Sequence, residues 1–240
     1  MAEFPETLEA AIAQAVVATK AAVADGNFRL QVELMLPELK PMVVAEQFLP
    51  VFEEFGSQFT IFFPDAGAAA LARRDWGKIS AKITDVGTGK LPVQQQILPE
   101  DRAFLCVAPS AVEVAQVEKM CEEAGDRPFV MLNPQLEDVA IVGIGYAARK
   151  VRDRFLSTIE SCYYLRPLEG AALFRCYPDP WQVWLETEDD YQLLAELPKK
   201  PVGEELEQIL TKTSQPDGSP TVSQVGFLTS LQRFLRSLSR

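Results

Sequence analysis

Short apolar segments that alternate with longer helical patterns constrain the fold of this chain more than any other feature. Phe59–Phe63 is an almost uninterrupted apolar segment, and an alanine-rich helix is predicted directly after it, over 66–76. The same succession recurs at 103–108, followed by a predicted helix over 111–124, and a further apolar segment lies at 129–132. Buried strands that alternate with helices of this length are typical of parallel α/β sheets.

The remaining elements extend this pattern to a layered, mostly parallel α/β sheet with helices on both faces and an antiparallel edge hairpin. Further helices are predicted over 5–24, 43–55, 147–161, 189–196 and 204–210, and further strands over 28–34, 79–83, 171–177 and 182–186. The last two strands are joined through Pro178-Asp179-Pro180, which favours a hairpin. We predict a single α/β domain over 1–212, a flexible linker over 213–221 and an amphipathic basic helix over 222–240.

The C-terminal segment separates into two faces if it is helical. Its apolar side chains fall on one side and its arginines on the other; these are Phe227, Leu228, Leu231, Phe234, Leu235 and Leu238, against Arg233, Arg236 and Arg240. The chain as a whole carries a net charge of −11, so this basic segment is exceptional. Two interpretations remain open: the helix packs on its own domain, or it contacts an anionic membrane surface or a partner protein.

Composition excludes several classes of function. The chain contains no histidine, which removes histidine-based acid–base and nucleophilic catalysis and histidine metal sites. The acidic balance argues against nucleic acid as a partner. No apolar segment approaches the roughly 20 residues that span a bilayer, and the acidic N-terminal residues argue against a signal peptide. The four cysteines lack a paired motif and are predicted to be buried free thiols.

Three polar residues follow the predicted strands. Asp65, Ser110 and Asn133 lie where strands end and helices or turns begin, and ligands gather at such places in parallel sheets. They are candidates for a shallow polar cleft. The alternative is that Asp65 and Ser110 cap helices and Asn133 makes a turn; Ser110 and Glu113 have the spacing of a capping box.

A glycine-containing turn precedes the predicted helix over 147–161. Gly143 and Gly145 could admit a phosphate to the helix N-terminus, where Arg149, Arg152 and Arg154 lie nearby. The alternative is a tight strand–helix turn with a solvated basic face, because a dinucleotide site normally belongs to the first βαβ unit.

Two weaker hypotheses concern aromatic and acidic residues. The run 162–167 and the pair Trp181/Trp184 either cover the core or form an interface, with Trp181 expected at the surface. Asp65 or Glu33 could serve as a carboxylate acid or base, but no second carboxylate can be placed beside either from the sequence.

Several sequence blocks together resemble one family. The blocks are Phe62–Trp76, Asn133-Pro134, the Gly143/Gly145 turn, Arg152–Phe155, Tyr163–Pro167 and Arg175–Pro178 with Trp181. They resemble a domain family of cyanobacteria and chloroplasts that includes the plant LOW PSII ACCUMULATION assembly proteins and that also occurs fused to a chloroplast adenylate kinase. The resemblance covers roughly residues 5–212.

The resemblance implies a photosynthetic setting and a non-enzymatic role in the assembly of photosystem II. It implies partners among the subunits or assembly machinery of that complex, no cofactor, and a cytoplasmic protein peripherally associated with the thylakoid membrane. It supplies no catalytic residues, and the phosphate-binding loop of a kinase is absent from the sequence. The main alternative is a nucleotide- or phosphometabolite-binding domain that uses the Gly143–Arg154 turn.

Overall fold

A computed structural model describes residues 2–213, apart from 88, 90–91, 138–145 and 188–189. The strands are β1 (Arg29–Leu34), β2 (Phe59–Phe63), β3 (Lys82–Asp85), β4 (Ala103–Val107), β5 (Phe129–Leu132), β6 (Glu160–Leu168), β7 (Ala171–Cys176), β8 (Trp181–Glu186) and β9 (Tyr191–Leu197). The helices are α1 (Leu8–Ala24), α2 (Pro41–Phe48), α3 (Ala66–Asp75), α4 (Val114–Ala124), α5 (Tyr146–Arg154) and α6 (Glu204–Thr213). Within the described residues, the strands form one sheet in the order β3-β2-β4-β5-β1-β6-β7-β8-β9.

The sheet is parallel from β3 through β6 and antiparallel from β6 through β9. This arrangement confirms the predicted mostly parallel α/β sheet with an antiparallel edge. The edge is larger than the predicted hairpin, because β6 and β9 flank β7 and β8 and make a four-stranded meander.

Helices cover both faces, as the sequence predicts. The first face is packed by α1, α2 and α3 against the inward-facing residues of the parallel strands, such as Leu30, Val32 and Leu34 of β1. The second face is packed by α4 and α5 around Phe62, Phe104 and other apolar residues. Helix α6 covers the antiparallel strands on that second face. Connections toward β3 therefore run over the first face and connections toward β9 over the second, as right-handed crossovers require.

The predicted helix over 43–55 is shorter than expected. Helix α2 ends at Phe48, and two 3₁₀ segments follow at Leu49–Val51 and Glu53–Gln58. Pro50 explains the change, because its ring nitrogen cannot donate the hydrogen bond that a continuing α-helix requires.

The C-terminal third contains the largest corrections. The predicted helix over 147–161 ends at Arg154, and the strand β6 begins at Glu160. The predicted helix near 189–196 is wrong, since Tyr191–Leu197 is the strand β9, paired with β8. Helix α4 begins at Val114 rather than 111, and β3 begins at Lys82 rather than 79.

Other sequence predictions concern burial and the tail. All four cysteines are free and buried, as predicted; burial raises the pKa of the Cys121 and Cys162 thiols to about 12. Among the described residues, no helix is long and apolar enough to cross a bilayer. The predicted linker over 213–221, apart from Thr213, and the predicted helix over 222–240 lie outside the described residues.

Candidate functional site

The fold places a crevice at the carboxyl ends of β2 and β4. These strands are parallel neighbours, and α3 leaves β2 over the first face whereas α4 leaves β4 over the second. In open α/β sheets, ligands bind where adjacent connections diverge in this way. Asp65 lies two residues beyond this end of β2 and Ser110 three residues beyond this end of β4, so the fold places two of the predicted strand-end residues at the ends of adjacent strands.

Asp65 caps helix α3. Its Oδ1 accepts hydrogen bonds from the backbone N–H groups of Gly67 and Ala68, at 2.8 and 3.0 Å. These groups have no partner within the helix, and a negative charge at the helix N-terminus is favourable. The carboxylate is therefore already engaged by the backbone of its own helix.

Ser110 is engaged in the same local way. Its Oγ and its backbone N–H both donate to Glu113 Oε2, at 2.6 and 2.8 Å. Val112 N–H in turn donates to Ser110 Oγ at 3.2 Å. The predicted Ser110–Glu113 pair thus forms, but it closes the turn over 111–113 that precedes α4.

Asn133 ties the end of β5 to the end of β1. Its Oδ1 accepts a hydrogen bond from Leu34 N–H at 2.7 Å, and its own N–H donates to Val32 O at 2.7 Å. The residue has φ +47°, a left-handed conformation that asparagine tolerates better than most residues. The hydrogen bonds of Asp65, Ser110 and Asn133 match the capping and turn interpretation, while their role in ligand binding remains a prediction.

Apolar side chains are exposed around the same end of the sheet. Met35 directly follows β1, Val43 lies in the first turn of α2, and Val112 lies in the turn after β4. Their exposed fractions are 46%, 50% and 88%. The polar groups of this region serve the backbone, and its exposed groups include apolar ones, which is a combination suited to a protein partner.

The predicted glycine turn lies outside the residues that the structure describes, whereas the arginines of α5 lie among them. Gly143 and Gly145 belong to the segment 138–145. Arg149 is exposed. The fold therefore places the arginine-bearing helix on the second face, but it supplies no geometry for the phosphate site proposed from the sequence.

The other two arginines of α5 form ion pairs with carboxylates. Arg154 binds Glu118 of α4 through two hydrogen bonds, at 2.6 and 2.7 Å, and Arg152 binds Glu137 at 2.9 Å. The hydrogen bond from Arg154 holds the pKa of the Glu118 carboxyl below its usual value. A phosphate at this helix would have to compete with both carboxylates.

Glu33 is a carboxyl near a strand end whose pKa is shifted by its surroundings. It points to the second face from the penultimate position of β1, where it is paired with Tyr164 of β6. Glu33 Oε2 accepts hydrogen bonds from Gln31 Nε2 at 2.9 Å and from Ser161 Oγ at 3.4 Å. Burial raises the pKa of the Glu33 carboxyl, and Lys200, whose Nζ lies 4.0 Å from Oε1, opposes that rise.

Lys200 joins this carboxyl to two aromatic rings. Its Nζ lies 3.8 Å from the ring centroid of Tyr164 and 5.4 Å from that of Trp181. An ammonium above two ring faces gains cation–π attraction in addition to its charge interaction with Glu33. Glu33, Ser161, Tyr164, Trp181 and Lys200 thus form a partly buried polar cluster in which Lys200 supplies the positive charge.

The sequence predicts only part of this cluster. It presents Glu33 as a single possible acid or base, and the aromatic run containing Tyr164 as core cover or an interface. The expectation that Trp181 is exposed is wrong, because it is 5% exposed. No local signal points to Lys200, which lies in the connection between β9 and α6 and reaches the cluster through tertiary packing.

An open, doubly wound α/β sheet with an antiparallel extension defines the class of protein. Its strand-end residues make hydrogen bonds to the backbone or to Glu113, and two arginines of its helix α5 pair with carboxylates. The chain belongs to the family described as a domain of unknown function, DUF1995, whose model matches residues 5–208. The match runs from just before α1 into α6 and confirms the resemblance at the level of a domain family of unknown function.

Proposed function

We propose that this protein is a non-enzymatic, membrane-peripheral factor for the assembly or accumulation of a photosynthetic complex, with photosystem II as the first candidate. The resemblance of its sequence blocks to the plant LOW PSII ACCUMULATION proteins supports this setting. The proposed location is the cytoplasmic surface of the thylakoid membrane, with the basic segment over 222–240 as the contact to anionic lipid.

One structural observation favours a protein partner over a small ligand at the strand-end crevice. Asp65 Oδ1 accepts hydrogen bonds from adjacent backbone, and the Ser110 hydroxyl bonds to Glu113. Val112, whose N–H donates to Ser110 Oγ, is 88% exposed. Polar groups that are already paired offer little to a small polar ligand. Exposed apolar side chains gain free energy when a protein surface covers them.

The test is co-purification of photosystem II subunits from detergent-solubilised thylakoid membranes. We expect Val112→Glu to reduce the recovered subunits by about tenfold, the effect of burying an uncompensated charge at the centre of an interface. Val112 is so exposed that the substitution should leave the fold intact, which circular dichroism and thermal unfolding will verify. Met35→Glu, at the end of β1 on the same edge of the sheet, should add to the effect.

The matched control is Val17→Glu, which places the same charge on a 67%-exposed valine of α1, away from the strand ends. We expect this variant to recover subunits as the wild type does. Undiminished recovery with Val112→Glu and Met35→Glu together would remove the strand-end surface as the partner site. Failure of the wild-type protein to enrich any photosynthetic subunit would contradict the proposed function itself.

A further inference from the structure

An acidic residue follows each of three neighbouring strands at the end of the sheet that contains the strand-end crevice. Asp85 is the last residue of β3 and is paired with Phe63 of β2. Asp65 lies two residues beyond β2, and Glu113 lies in the turn between β4 and α4. These strands are adjacent in the order β3-β2-β4, and neighbouring strands lie about 4.8 Å apart. Asp65, Asp85 and Glu113 therefore form an acidic rim along the crevice.

The acidic rim keeps most of its negative charge. None of its three carboxylates forms an ion pair within the part of the chain that the structure describes. Asp65 and Glu113 occupy the N-cap positions of α3 and α4, and a helix N-terminus supplies roughly half a positive charge. Three carboxylates beside two such termini leave a surplus of about two negative charges.

An exposed apolar side chain adjoins the acidic rim. Val112 directly precedes Glu113 in the turn after β4, and its side chain is 88% exposed. Met35 and Val43 expose further apolar surface at the same end of the sheet. A surface that combines uncompensated carboxylates with exposed apolar side chains is complementary to a segment that carries cations and apolar side chains together.

Charge selects among the occupants that such a surface could have. Two copies of a chain with a net charge of −11 repel each other, which disfavours self-association at an acidic surface. Anionic lipid headgroups and nucleic acid are repelled from the acidic rim for the same reason. A cationic amphipathic protein segment is attracted by the rim, and its apolar side chains gain free energy by covering Val112.

We propose that the strand-end crevice docks a basic amphipathic segment of a partner protein, whose lysine or arginine side chains meet the acidic rim and whose apolar side chains cover Val112. This inference rests on the proposed function, which assigns the crevice to a protein partner, and it adds the chemistry of the partner's segment. The carboxylates steer the encounter and set its orientation, whereas the apolar contact slows dissociation. Binding should therefore weaken with salt and with loss of the valine side chain.

The test measures binding of two fluorescein-labelled amphipathic peptides to the full-length protein by fluorescence anisotropy. One peptide consists of leucine and lysine, and the other has glutamate in place of every lysine. We expect only the leucine–lysine peptide to bind, and added salt to release it. Asp65→Asn, Asp85→Asn and Glu113→Gln together should weaken its binding about tenfold through loss of three charge pairs. Asparagine and glutamine retain the capping hydrogen bonds, so the fold should persist.

Val112→Ser tests the apolar part of the contact separately. It removes apolar surface from an exposed position without changing the charge, and we expect it to weaken binding several-fold. The salt dependence should stay as in the wild type, because the acidic rim is intact. Unchanged affinity of this variant would overturn the apolar contact at Val112.

The matched control for the acidic rim changes the net charge equally at the opposite end of the sheet. Glu53 and Glu54 lie in the 3₁₀ segment before β2, Asp126 lies in the connection to β5, and all three are exposed. We expect Glu53→Gln, Glu54→Gln and Asp126→Asn together to leave the affinity unchanged. Equal weakening by the two triple variants would assign binding to the net charge of the protein and overturn the proposal. Failure of the leucine–lysine peptide to bind would also overturn it.

The chain's own basic segment is the competing occupant that the same assay detects. Leu231→Ser, Phe234→Ser and Leu235→Ser together disrupt its apolar face without changing its charge, and we expect no effect on peptide affinity. Tighter peptide binding by this variant would show that the segment itself occupies the crevice and would overturn the assignment to a partner. Because the assay contains no photosynthetic subunit, its failure overturns only the chemistry of the docked segment, whereas failure to recover photosystem II subunits contradicts the proposed function.

Discussion

Glu33 is a largely buried carboxyl with hydrogen-bonding and charged neighbours. Burial disfavours its charged form, while Lys200 and Ser161 favour it, and the balance leaves the pKa of the carboxyl raised above 4.5. The native state then holds the proton more tightly than the unfolded state does. The stabilisation from the protonated form is complete below pH 4.5 and is lost as the pH rises through the raised pKa.

We expect Glu33→Gln to remove this dependence. The free energy of unfolding of the wild type should fall relative to that of the variant as the pH is raised from about 4 to about 8, because only the wild type must bury a negative charge. Thermal unfolding of both proteins across that range measures the difference. Glu46→Gln, at an exposed carboxyl of α2, is the control.

A difference between the Glu33→Gln variant and the wild type that does not change with pH would contradict the raised pKa. Lower stability of the variant at neutral pH would mean that attraction to Lys200 outweighs the cost of burial. In either case the carboxyl would be a structural ion-pair partner rather than a strained group.

Helix α5 shows how an element can be held by charge as well as by packing. Among the side chains of 149–154, Val151 packs on the second-face core that contains Phe155. Arg154 supplies a two-point hydrogen bond to the mostly buried carboxylate of Glu118 on α4. A bidentate pair of this kind fixes the relative orientation of two helices better than a single contact does.

We expect a double-mutant cycle on Arg154→Ala and Glu118→Ala to give a clear stabilising coupling in urea unfolding. The coupling should disappear when the pH falls below the depressed pKa of Glu118, because the protonated carboxyl no longer pairs as an anion. Arg74 and Asp75, adjacent exposed residues joined by a 2.7 Å hydrogen bond, form the matched control pair. Their coupling should be within error of zero; equal couplings for the two pairs would contradict the anchoring role.

Strand β9 illustrates how tertiary contacts decide the state of an ambiguous segment. Its residues are half-buried or exposed rather than alternating cleanly, and a helix was predicted for them. Tyr191 packs its ring 4.1 Å from that of Phe4, and Leu193 contacts the first-face core. Because these partners lie far away in the sequence, the local pattern of residues cannot predict the contacts with them.

At the scale of the whole molecule, charge is distributed unevenly along the chain. The net charge is −11, yet residues 215–240 hold three arginines and one aspartate. An acidic body with a basic amphipathic terminus can approach an anionic membrane only if the terminus leads, because the body is repelled. The proposed membrane contact should therefore depend on the basic segment and not on the acidic body, which an experiment can test.

We expect the full-length protein to float with vesicles made of anionic thylakoid lipids and to be released by salt. Reversal of Arg233, Arg236 and Arg240 to glutamate should abolish flotation, because each arginine contributes about 1 kcal/mol at an anionic surface. The matched control reverses three exposed lysines of the body, Lys20, Lys78 and Lys119, and should still float. Flotation that survives the arginine reversal, or that fails in the wild type, would contradict the membrane role of this segment.

Local pattern was sufficient for much of the sheet and for its capping residues. β2 and β4 are continuous apolar strands bounded by turn residues, and Asp65 precedes an alanine-rich helix, so each is identified by its own neighbours in the chain. The strand-end position of Asp65, Ser110 and Asn133 follows from the same pattern. The local pattern does not show whether the oxygens of these side chains are free to bind a ligand. Asn133 Oδ1, for example, accepts a hydrogen bond from a residue of β1 that is 99 positions away in the chain.

The sequence by itself determined the class of fold, the parallel body of the sheet and the burial of the cysteines, because short-range periodicity and composition encode these properties. The family was identified from the resemblance of particular sequence blocks and from the family match over residues 5–208. The tertiary structure alone decided that 160–168 and 191–197 are strands and that Lys200 reaches Glu33. Each of these depends on contacts between residues distant in the chain. The free energy of such contacts, rather than local preference, selects the final conformation.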